Sequence, residues 1–302
     1  MLIDSARTLP KEDPTGSFII LAMGMFIEAL SLLAANQNQK LGYELFHEPA
    51  WYAQAILGAR EPFFPFARLR LAPTAQPQTS QCDPALFFQR RTSRVPLLPQ
   101  PVPDEAVQAL KNLAGKWGQQ YQQITEATTI ARILDRNTEA LFEDMNNPDY
   151  HDEITSWFRF TDRASRRHRD GLDYRCMNTS RMAYWLVARF PQLLLLPAVR
   201  PILWRRYRSQ LGLVPTIGML AGDFWQPEST IHTGRFLMRF WLEVARYNLY
   251  IHPYGNLVTN QKAAQWMRKE IKVPDIWLIF KIGYSAEPPK SYRRSVEEIL
   301  LA

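Results

Sequence analysis

The sequence predicts an α+β fold in which short strands are flanked by helices. Helical and strand-like segments alternate along the chain, and the order helix–strand–helix–strand occurs near both ends. The chain has 302 residues, of which 46% are hydrophobic and 12% aromatic, so it can fill a sizeable core. With 22% charged residues, its composition is that of a folded protein rather than a disordered one.

The first predicted helix covers residues 18–36 and contains an apolar run with one charge, Glu28. Its eighteen apolar-rich residues approach the lower limit for crossing a bilayer. However, Asp13 leads into it, Ser17 is placed to cap it, a polar stretch closes it, and no aromatic belt flanks it. We therefore predict a buried helix of a folded protein, with Glu28 either paired or at the surface.

The remaining elements follow from local patterns. Strands are predicted at 42–46, 66–72, 249–253 and 275–283, and helices at 84–91, from Asp104 onward, and at about 120–144, 149–161, 177–190, 233–248 and 259–269. Residues 66–72 alternate arginine with apolar side chains, as a half-buried strand does. Asp104 and Glu105 complement the dipole of the helix that they begin. Residues 73–81, rich in Pro, Gln, Thr and Ser, form the candidate linker.

Two parts of the chain, residues 26–73 and 236–284, resemble each other in the order of their elements. In each, a helix leads to an aromatic strand that ends in proline, and a second helix and strand follow. This recurrence suggests an internal duplication, and chance recurrence of a common pattern is the alternative.

Charge and composition limit the classes of partner. A net charge of +7 and a pI near 9.4 favour phosphates, nucleic acid or an acidic membrane surface. Cys82 and Cys176 form neither a disulfide framework nor a metal-ligand spacing, which suits a reducing cytoplasm. The five histidines are scattered, so we predict no metal site. We also expect no signal peptide, because no basic leader precedes an apolar segment and a cleavage site.

Two basic clusters lie about two hundred residues apart. The first holds three arginines and two hydroxyl residues in five positions, namely Arg90, Arg91, Thr92, Ser93 and Arg94. The second contains Lys290, Arg293 and Arg294. Arginine forks bind phosphate oxygens in a bidentate manner, so the two clusters can converge on one phosphate. Two separate solvated faces are the alternative, and the residues alone leave both open.

Two further basic segments, 163–175 and 197–210, lie between predicted helices. We interpret the first as a solvated helix end or loop. The second interleaves Trp204 and Tyr207 with arginines, a mixture that binds nucleic acid through charge and stacking. Such mixtures also stabilise dimer surfaces, and no nucleic-acid-binding signature accompanies this one. We therefore expect neither a nucleic-acid nor a membrane partner, with a basic module for one of these as the least favoured hypothesis.

Residues 89–110 resemble the opening of the nitroreductase superfamily of FMN-binding flavoproteins. Residues 234–257 are similar to the central helix, short strand and proline-containing flavin loop of that family. Residues 276–300 resemble its last strand and terminal basic segment. The resemblance begins at about residue 84 and is loose over 111–230. It implies an α+β fold built on an antiparallel sheet flanked by helices.

The same resemblance implies an FMN site built from three segments. The phosphate and ribityl side would be lined by Arg90, Arg91, Thr92 and Arg94, and the phosphate side closed by Lys290, Arg293 and Arg294. The isoalloxazine ring would lie along Pro253, Tyr254 and Gly255. A simple turn, with Gly255 at positive φ, is the alternative for that last segment. Because a flavin carries out the redox chemistry itself, no protein acid or base is predicted.

Residues 1–80 resemble the partial, degenerate unit that precedes the complete unit in one bacterial branch of the family, and residues 81–302 would then form the FMN-binding domain. Relatives in that branch carry an Asn-x-Gln-Pro-Trp-type stretch before the first helix, and this sequence does not, which argues against a second flavin site.

The function implied is that of a cytoplasmic FMN-dependent oxidoreductase. NAD(P)H would reduce FMN, and the flavin would reduce an electron-poor or quinone-like small-molecule acceptor. The alternative is a non-catalytic flavin-binding or flavin-sequestering protein of the same fold. Single-unit relatives are dimers with the flavin at the interface, so we expect a homodimer or an internal pseudo-dimer.

Overall fold

The computed structural model of the protein describes residues 1–58, 62–74 and 82–300. Its strands are β1 (Leu2–Asp4), β2 (Gln39–Leu45), β3 (Phe63–Pro65), β4 (Ala67–Pro73), β5 (Gln119–Ile124), β6 (Phe158–Arg159), β7 (Leu172–Asp173), β8 (Ile217–Gly222), β9 (Tyr250–Pro253) and β10 (Ile276–Gly283). Its helices are α1 (Ser17–Ala35), α2 (Pro49–Gly58), α3 (Ala85–Gln89), α4 (Asp104–Lys116), α5 (Ala127–Asn146), α6 (Pro148–Ser156), α7 (Asp162–His168), α8 (Arg181–Arg189), α9 (Arg200–Gln210), α10 (Pro227–Arg246), α11 (Asn256–Thr259), α12 (Gln261–Ile271) and α13 (Val296–Ile299).

Four antiparallel strands in the order β5–β8–β10–β9 form the central sheet, and helices cover both of its faces. On one face α4 and α10 pack a mainly aromatic core that includes Leu110, Phe236, Phe240, Trp277 and Phe280. On the other face α5 and α12 pack an aliphatic core that includes Ile133, Leu134, Met219, Met267 and Ile279. The fold is therefore α+β, as predicted.

The two strands β5 and β8 differ from the prediction. Residues 119–124 were expected to begin a helix but form β5, whose polar sequence Gln-Gln-Tyr-Gln-Gln-Ile carries no strand-like apolar pattern. Its first side chain, Gln119, is buried, and its Oε1 accepts a hydrogen bond of 2.9 Å from Trp277 Nε1. The central strand β8 was not predicted at all. Because it is buried on both faces, it lacks the alternation that identifies a half-exposed strand.

Most other elements lie where they were predicted, with shifted ends. Helix α10 begins at Pro227 rather than near residue 233, and the predicted helix at 149–161 ends at Ser156. The basic segment 163–175 was interpreted as a helix end or loop, and much of it forms α7. The candidate linker at 73–81, and with it the boundary between the two expected units, lies almost wholly outside the described residues.

Helix α1 is the buried helix that was predicted, and it packs against α10. The Glu28 carboxylate is fully buried and accepts hydrogen bonds from Arg235 Nε at 2.7 Å and from Arg239 Nε. Among the described residues, α1 is the one helix long and apolar enough to cross a membrane. The cap differs from the prediction: Asp13, rather than Ser17, accepts from the first backbone N–H groups of the helix.

The two helices meet in a reciprocal contact at Gly24 and Gly234. A Cβ added to Gly24 would lie 3.1 Å from Gly234 Cα, and one added to Gly234 would lie 3.0 Å from Gly24 Cα. Each would also collide with the carbonyl oxygen three residues before the other glycine, that of Ile231 or Leu21. Each helix therefore presents the same kind of surface to the other, as in a two-fold interface.

The elements that follow the two helices also correspond. The predicted order is present, as α1, β2, α2, β4 and as α10, β9, α12, β10, with β3 and α11 added. In both halves the two strands pair antiparallel. Asn38 and Asn248 lie at the same distance in sequence from the contact glycine of their half, fourteen positions after Gly24 and Gly234, and both have positive φ, 53° and 56°.

Candidate functional site

The first arginine cluster lies against β9. Thr92 forms an isolated parallel bridge with Ile251, and Ser93 N donates a hydrogen bond of 3.0 Å to Ile251 O. Ser93 Oγ also lies 2.9 Å from Ser285 Oγ, just beyond the end of β10. The backbone thus places the arginine segment beside the proline-containing end of β9, although 159 positions separate Thr92 from Ile251 in the sequence.

Arg91 holds the C-terminal segment against this cluster. Its Nη1 donates to Glu287 Oε1 at 2.6 Å and to Pro288 O at 3.2 Å. The bond from Arg91 lowers the pKa of Glu287, and the charge of Lys290 lowers it further. The guanidinium of Arg91 is therefore engaged with the protein itself.

Arg90 of the first basic cluster is the member that senses the charge of the second cluster. Arg90 Nε is buried without a hydrogen-bond partner, and the Arg90 guanidinium lies over the Trp241 ring, 4.7 Å from its centroid. Burial lowers the pKa of Arg90, and the nearby charge of Arg293 lowers it further. A buried guanidinium with an unpaired donor favours an anionic partner.

The rest of the second cluster is less engaged. Lys290 is exposed, and its charge contributes to lowering the pKa of Glu287. Within the described part of the chain, Arg294 makes no hydrogen bond or ion pair. The tail itself is fixed against the basic segment 163–175. The Arg175 guanidinium lies 4.8 Å from the Tyr292 ring centroid, and Arg169 pairs with Glu298.

A cavity of about 320 Å³ opens beside the end of β9. This volume lies within the usual range of small-molecule sites. Much of its wall is apolar or aromatic and includes Leu141, Met145, Phe158, Leu172 and Tyr207. Pro253 and Gly255 border it, and an added Cβ on Gly255 would meet no atom within 4 Å.

The predicted segment 253–255 is only partly in the cavity wall. Tyr254 turns into the aliphatic core, where its hydroxyl is buried without a hydrogen-bond partner. The turn with Gly255 at positive φ is wrong: Gly255 has φ −54° and ψ −44° and precedes α11. The helix begins there because Gly255 O accepts from the amides of Val258 and Thr259.

Three basic side chains, those of Arg94, Lys281 and His252, line the cavity. Lys281 and His252 are direct partners across the β9–β10 pair. Lys281 is 1% exposed, and its Nζ donates to Val95 O at 2.8 Å. Burial lowers the pKa of Lys281 to about 8, with the charge of Arg94 contributing.

His252 and Arg94 complete this basic group. His252 Nδ1 is buried without a hydrogen-bond partner, and burial holds the pKa of His252 well below its usual value. Arg94 Nη1 donates a long bond of 3.4 Å to Cys176 O. Among the described residues, none of the three cavity bases is ion-paired with a carboxylate. The arrangement therefore suits an anionic or electron-rich group of a ligand.

Two acidic side chains, those of Glu12 and Asp144, also line the cavity. Asp144 accepts hydrogen bonds of 2.7 Å from the side-chain amides of Asn256 and Asn260. Burial raises the pKa of Glu12 to about 7, and the charges of Asp144 and Glu153 contribute. Glu12 can therefore exchange a proton near neutral pH.

Sequence analysis did not identify Lys281, His252, Glu12 or Asp144 as site residues. One signal was present: Lys281 is the single charge within an otherwise apolar strand, and such a lysine is seldom buried without a special environment. The others come from scattered polar residues that only the tertiary fold brings together.

No protein-family model matches the chain, and no curated protein is similar to it in sequence. Solved structures of similar fold include the FMN-dependent nitroreductase NfnB from Mycobacterium smegmatis in complex with NADPH, with a TM-score of 0.41 and 17% identity over 72% of this chain and 96% of that one. A nitroreductase with bound FMN from Bacteroides fragilis has a TM-score of 0.41 and 11% identity over 70% and 92%. A nitroreductase with bound FMN from Desulfitobacterium hafniense has a TM-score of 0.41 and 9% identity over 73% and 99%. The chain is thus similar to nitroreductases of known structure over about seven-tenths of its length.

Proposed function

We propose that the protein is an FMN-dependent oxidoreductase of the nitroreductase type that takes its electrons from NAD(P)H. The observation that carries the proposal is the pairing of the Thr92–Ser93 backbone with Ile251 in β9. This pairing joins the arginine segment to the proline-containing strand end, which are the two motifs on which the sequence resemblance rests. It does so at the edge of a ligand-sized cavity.

The residues present fit FMN. Arg90 and Arg293 would hold its phosphate, because the Nε of Arg90 is buried without a partner and the charge of Arg293 acts on Arg90. Thr92 would line the same side. Pro253 and Gly255 would border the ring, with the open space beside Gly255 available to it. Bound FMN would supply hydride acceptance and electron transfer.

The chain's own groups would bind, orient and stabilise charge. Arg94 and Lys281 place two cations in the cavity wall, where preorganised positive charge would stabilise the negative charge that develops on reduction. Glu12, another residue of the wall with a pKa of about 7, can deliver a proton to a reduced acceptor. The apolar and aromatic walls suit a flat, electron-poor or quinone-like acceptor.

We also propose that residues 1–80 act as a partial second unit and take the place of a partner subunit, with residues 81–302 as the flavin-binding unit. The reciprocal contact of Gly24 with Gly234 supports this, because α1 stands against α10 as a symmetry mate would. We expect a monomer in light scattering coupled to size exclusion. A stable dimer with one flavin per interface would contradict the pseudo-dimer.

Flavin binding is tested by titrating the apoprotein with FMN and recording the visible spectrum and flavin fluorescence. We expect tight binding that is weakened at least tenfold by Arg90→Ala and by Arg293→Ala. Arg70→Ala, at an exposed arginine of β4, is the matched control and should have no effect. A protein that ignores FMN would contradict the proposal.

Catalysis is tested separately, by adding NADH or NADPH to the FMN-loaded protein without oxygen. Bleaching of the flavin, followed by recovery on addition of a quinone, is expected for an oxidoreductase. Bound flavin that neither nucleotide reduces would instead indicate the alternative, a flavin-sequestering protein. The two free cysteines, Cys82 and Cys176, are consistent with a cytoplasmic location for either activity.

A further inference from the structure

The outward face of α8 is apolar, contrary to what a surface helix normally shows. Met182 is 77% exposed, Trp185 46% and Leu186 37%, at positions i, i+3 and i+4 of one helical face. The inward face carries the buried Tyr184 and Ala188. A water-facing helix normally exposes its polar side, so α8 is oriented as if its outer face met something other than water.

Further large apolar side chains are exposed after α8. Phe190, Leu195 and Leu196 are exposed in the connection to α9, and Ile202 in α9 is 65% exposed. We call residues 181–206 the arginine–apolar surface. Exposed large apolar side chains are ordinary when scattered, but here seven occur within one short segment, which marks an interaction site.

Arginines surround these apolar side chains without balancing acids. The chain has no Asp or Glu between Asp173 and Asp223. Within the arginine–apolar surface the arginines are Arg181, Arg189, Arg200, Arg205 and Arg206, all of them exposed. In the described ranges none of these five makes an ion pair; the next arginine, Arg208, pairs with Asp135. The surface therefore offers apolar contact and uncompensated positive charge together.

We propose that the arginine–apolar surface docks the protein on membranes that contain anionic lipids. Trp, Phe and Leu side chains partition into the boundary between headgroups and acyl chains, and arginines bind the phosphates above it. A second copy of this chain on the same surface would bring arginines against arginines with no acidic residue to pair them. An anionic partner is favoured by that charge pattern.

Three residues that flank the arginine–apolar surface in sequence, namely Met177, Tyr207 and Leu211, line the cavity. This inference stands independently of the proposed flavin chemistry, and it departs from the expectation that no membrane is involved.

The test is sedimentation of the full chain with vesicles of phosphatidylcholine and phosphatidylglycerol in equal amounts, and with vesicles of phosphatidylcholine alone. We expect binding to the anionic vesicles, weakened by salt. Arg205→Gln with Arg206→Gln should lower the partition coefficient by about fivefold for each arginine removed. Trp185→Ser with Ile202→Ser should lower it further. The matched control is Arg70→Gln with Leu71→Ser, which makes the same kinds of change at exposed positions of β4.

Circular dichroism and the thermal midpoint establish that each variant is folded. Equal binding to neutral and anionic vesicles, or equal loss in the variants and in the control, would overturn the proposal. The proposal would also be overturned if no vesicle binding were seen and sedimentation velocity showed a dimer that Trp185→Ser dissociates. A second copy of the chain would then cover the surface. None of these readouts requires FMN, so failure of the flavin proposal is seen separately.

Discussion

Gly24 and Gly234 lie face to face where α1 crosses α10. A methyl group on either glycine would clash with the backbone of the other helix. The absence of side chains there lets the two backbones approach closely. This approach in turn places Glu28 of α1 beside Arg235 and Arg239 of α10. The N-terminal helix is thus held by a steric fit and by a buried ionic contact.

Replacing either glycine by alanine is expected to destabilise the protein by about 1–3 kcal/mol, because the new methyl group meets backbone atoms that cannot move aside. Urea unfolding of Gly24→Ala and Gly234→Ala measures this. Gly115→Ala in α4 is the matched control, since its Cβ would meet no atom within 4 Å. The control should be neutral or stabilising by up to about 1 kcal/mol. Equal effects at all three glycines would contradict the steric explanation.

Glu28→Gln is expected to lower the free energy of unfolding by about 3 kcal/mol. It removes the charge that pairs with Arg235 and Arg239 at a fully buried position. The matched control is Glu44→Gln in β2, where the pair with Arg68 is exposed and 3.8 Å long. That change should cost less than about 1 kcal/mol. A similar small loss at Glu28 would show that its carboxylate is not needed to hold the helix.

Lys281→Met is expected to stabilise the protein at neutral pH. The folded-state pKa of Lys281 is about 8, below its ordinary 10.5, so the unfolded chain holds this proton more tightly. The free energy of unfolding of the native protein therefore rises as pH increases from 8 to 10.5. The positive charge of Lys281 lowers that free energy most below pH 8. The gain in the variant should be about 3 kcal/mol at pH 7 and vanish toward pH 10.5. A gain that does not depend on pH would instead indicate improved packing alone.

Glu12→Gln is expected to stabilise the protein above pH 7 and to have little effect below pH 4.5. Burial raises the folded-state pKa of Glu12 from 4.5 to about 7, so between these pH values the folded protein binds this proton and the unfolded chain releases it. The free energy of unfolding therefore falls as pH rises from 4.5 to 7. Urea unfolding at several pH values gives the difference between variant and native protein.

Glu126 provides a control of opposite sign. Its carboxylate accepts hydrogen bonds from the amides of Thr128 and Thr129 at the start of α5, and these hold the pKa of Glu126 near 2. The ionised carboxylate of Glu126 stabilises the folded protein above pH 4.5, and this stabilisation is lost as pH falls toward 2. Glu126→Gln should therefore lower the free energy of unfolding at neutral pH. Parallel pH profiles for the Glu12 and Glu126 variants would contradict both assignments.

Strong local patterns predicted many elements correctly. The apolar run of α1, the aromatic strand β9 and the acidic first turn of α4 each carry a signal that needs no distant contact. Strands β5 and β8 lack such a signal. The glutamines of β5 become strand residues because Tyr121 pairs with Leu220 and Gln119 bonds Trp277, both of them far away in sequence.

The sequence by itself determined the α+β class, the burial of α1, and the two arginine-bearing segments that the proposed flavin site needs. Composition, periodicity and motif spacing are properties of neighbouring residues, and they are readable without the fold. Only the tertiary structure decided that the charge of Arg293 acts on Arg90, that Lys281 faces His252 beside Arg94, and that Glu12 stands near Asp144. The physical reason is that strand register and helix packing determine which charged residues, distant in sequence, are buried side by side. Burial together shifts the pKa values of these residues and leaves some of their hydrogen-bond donors without partners.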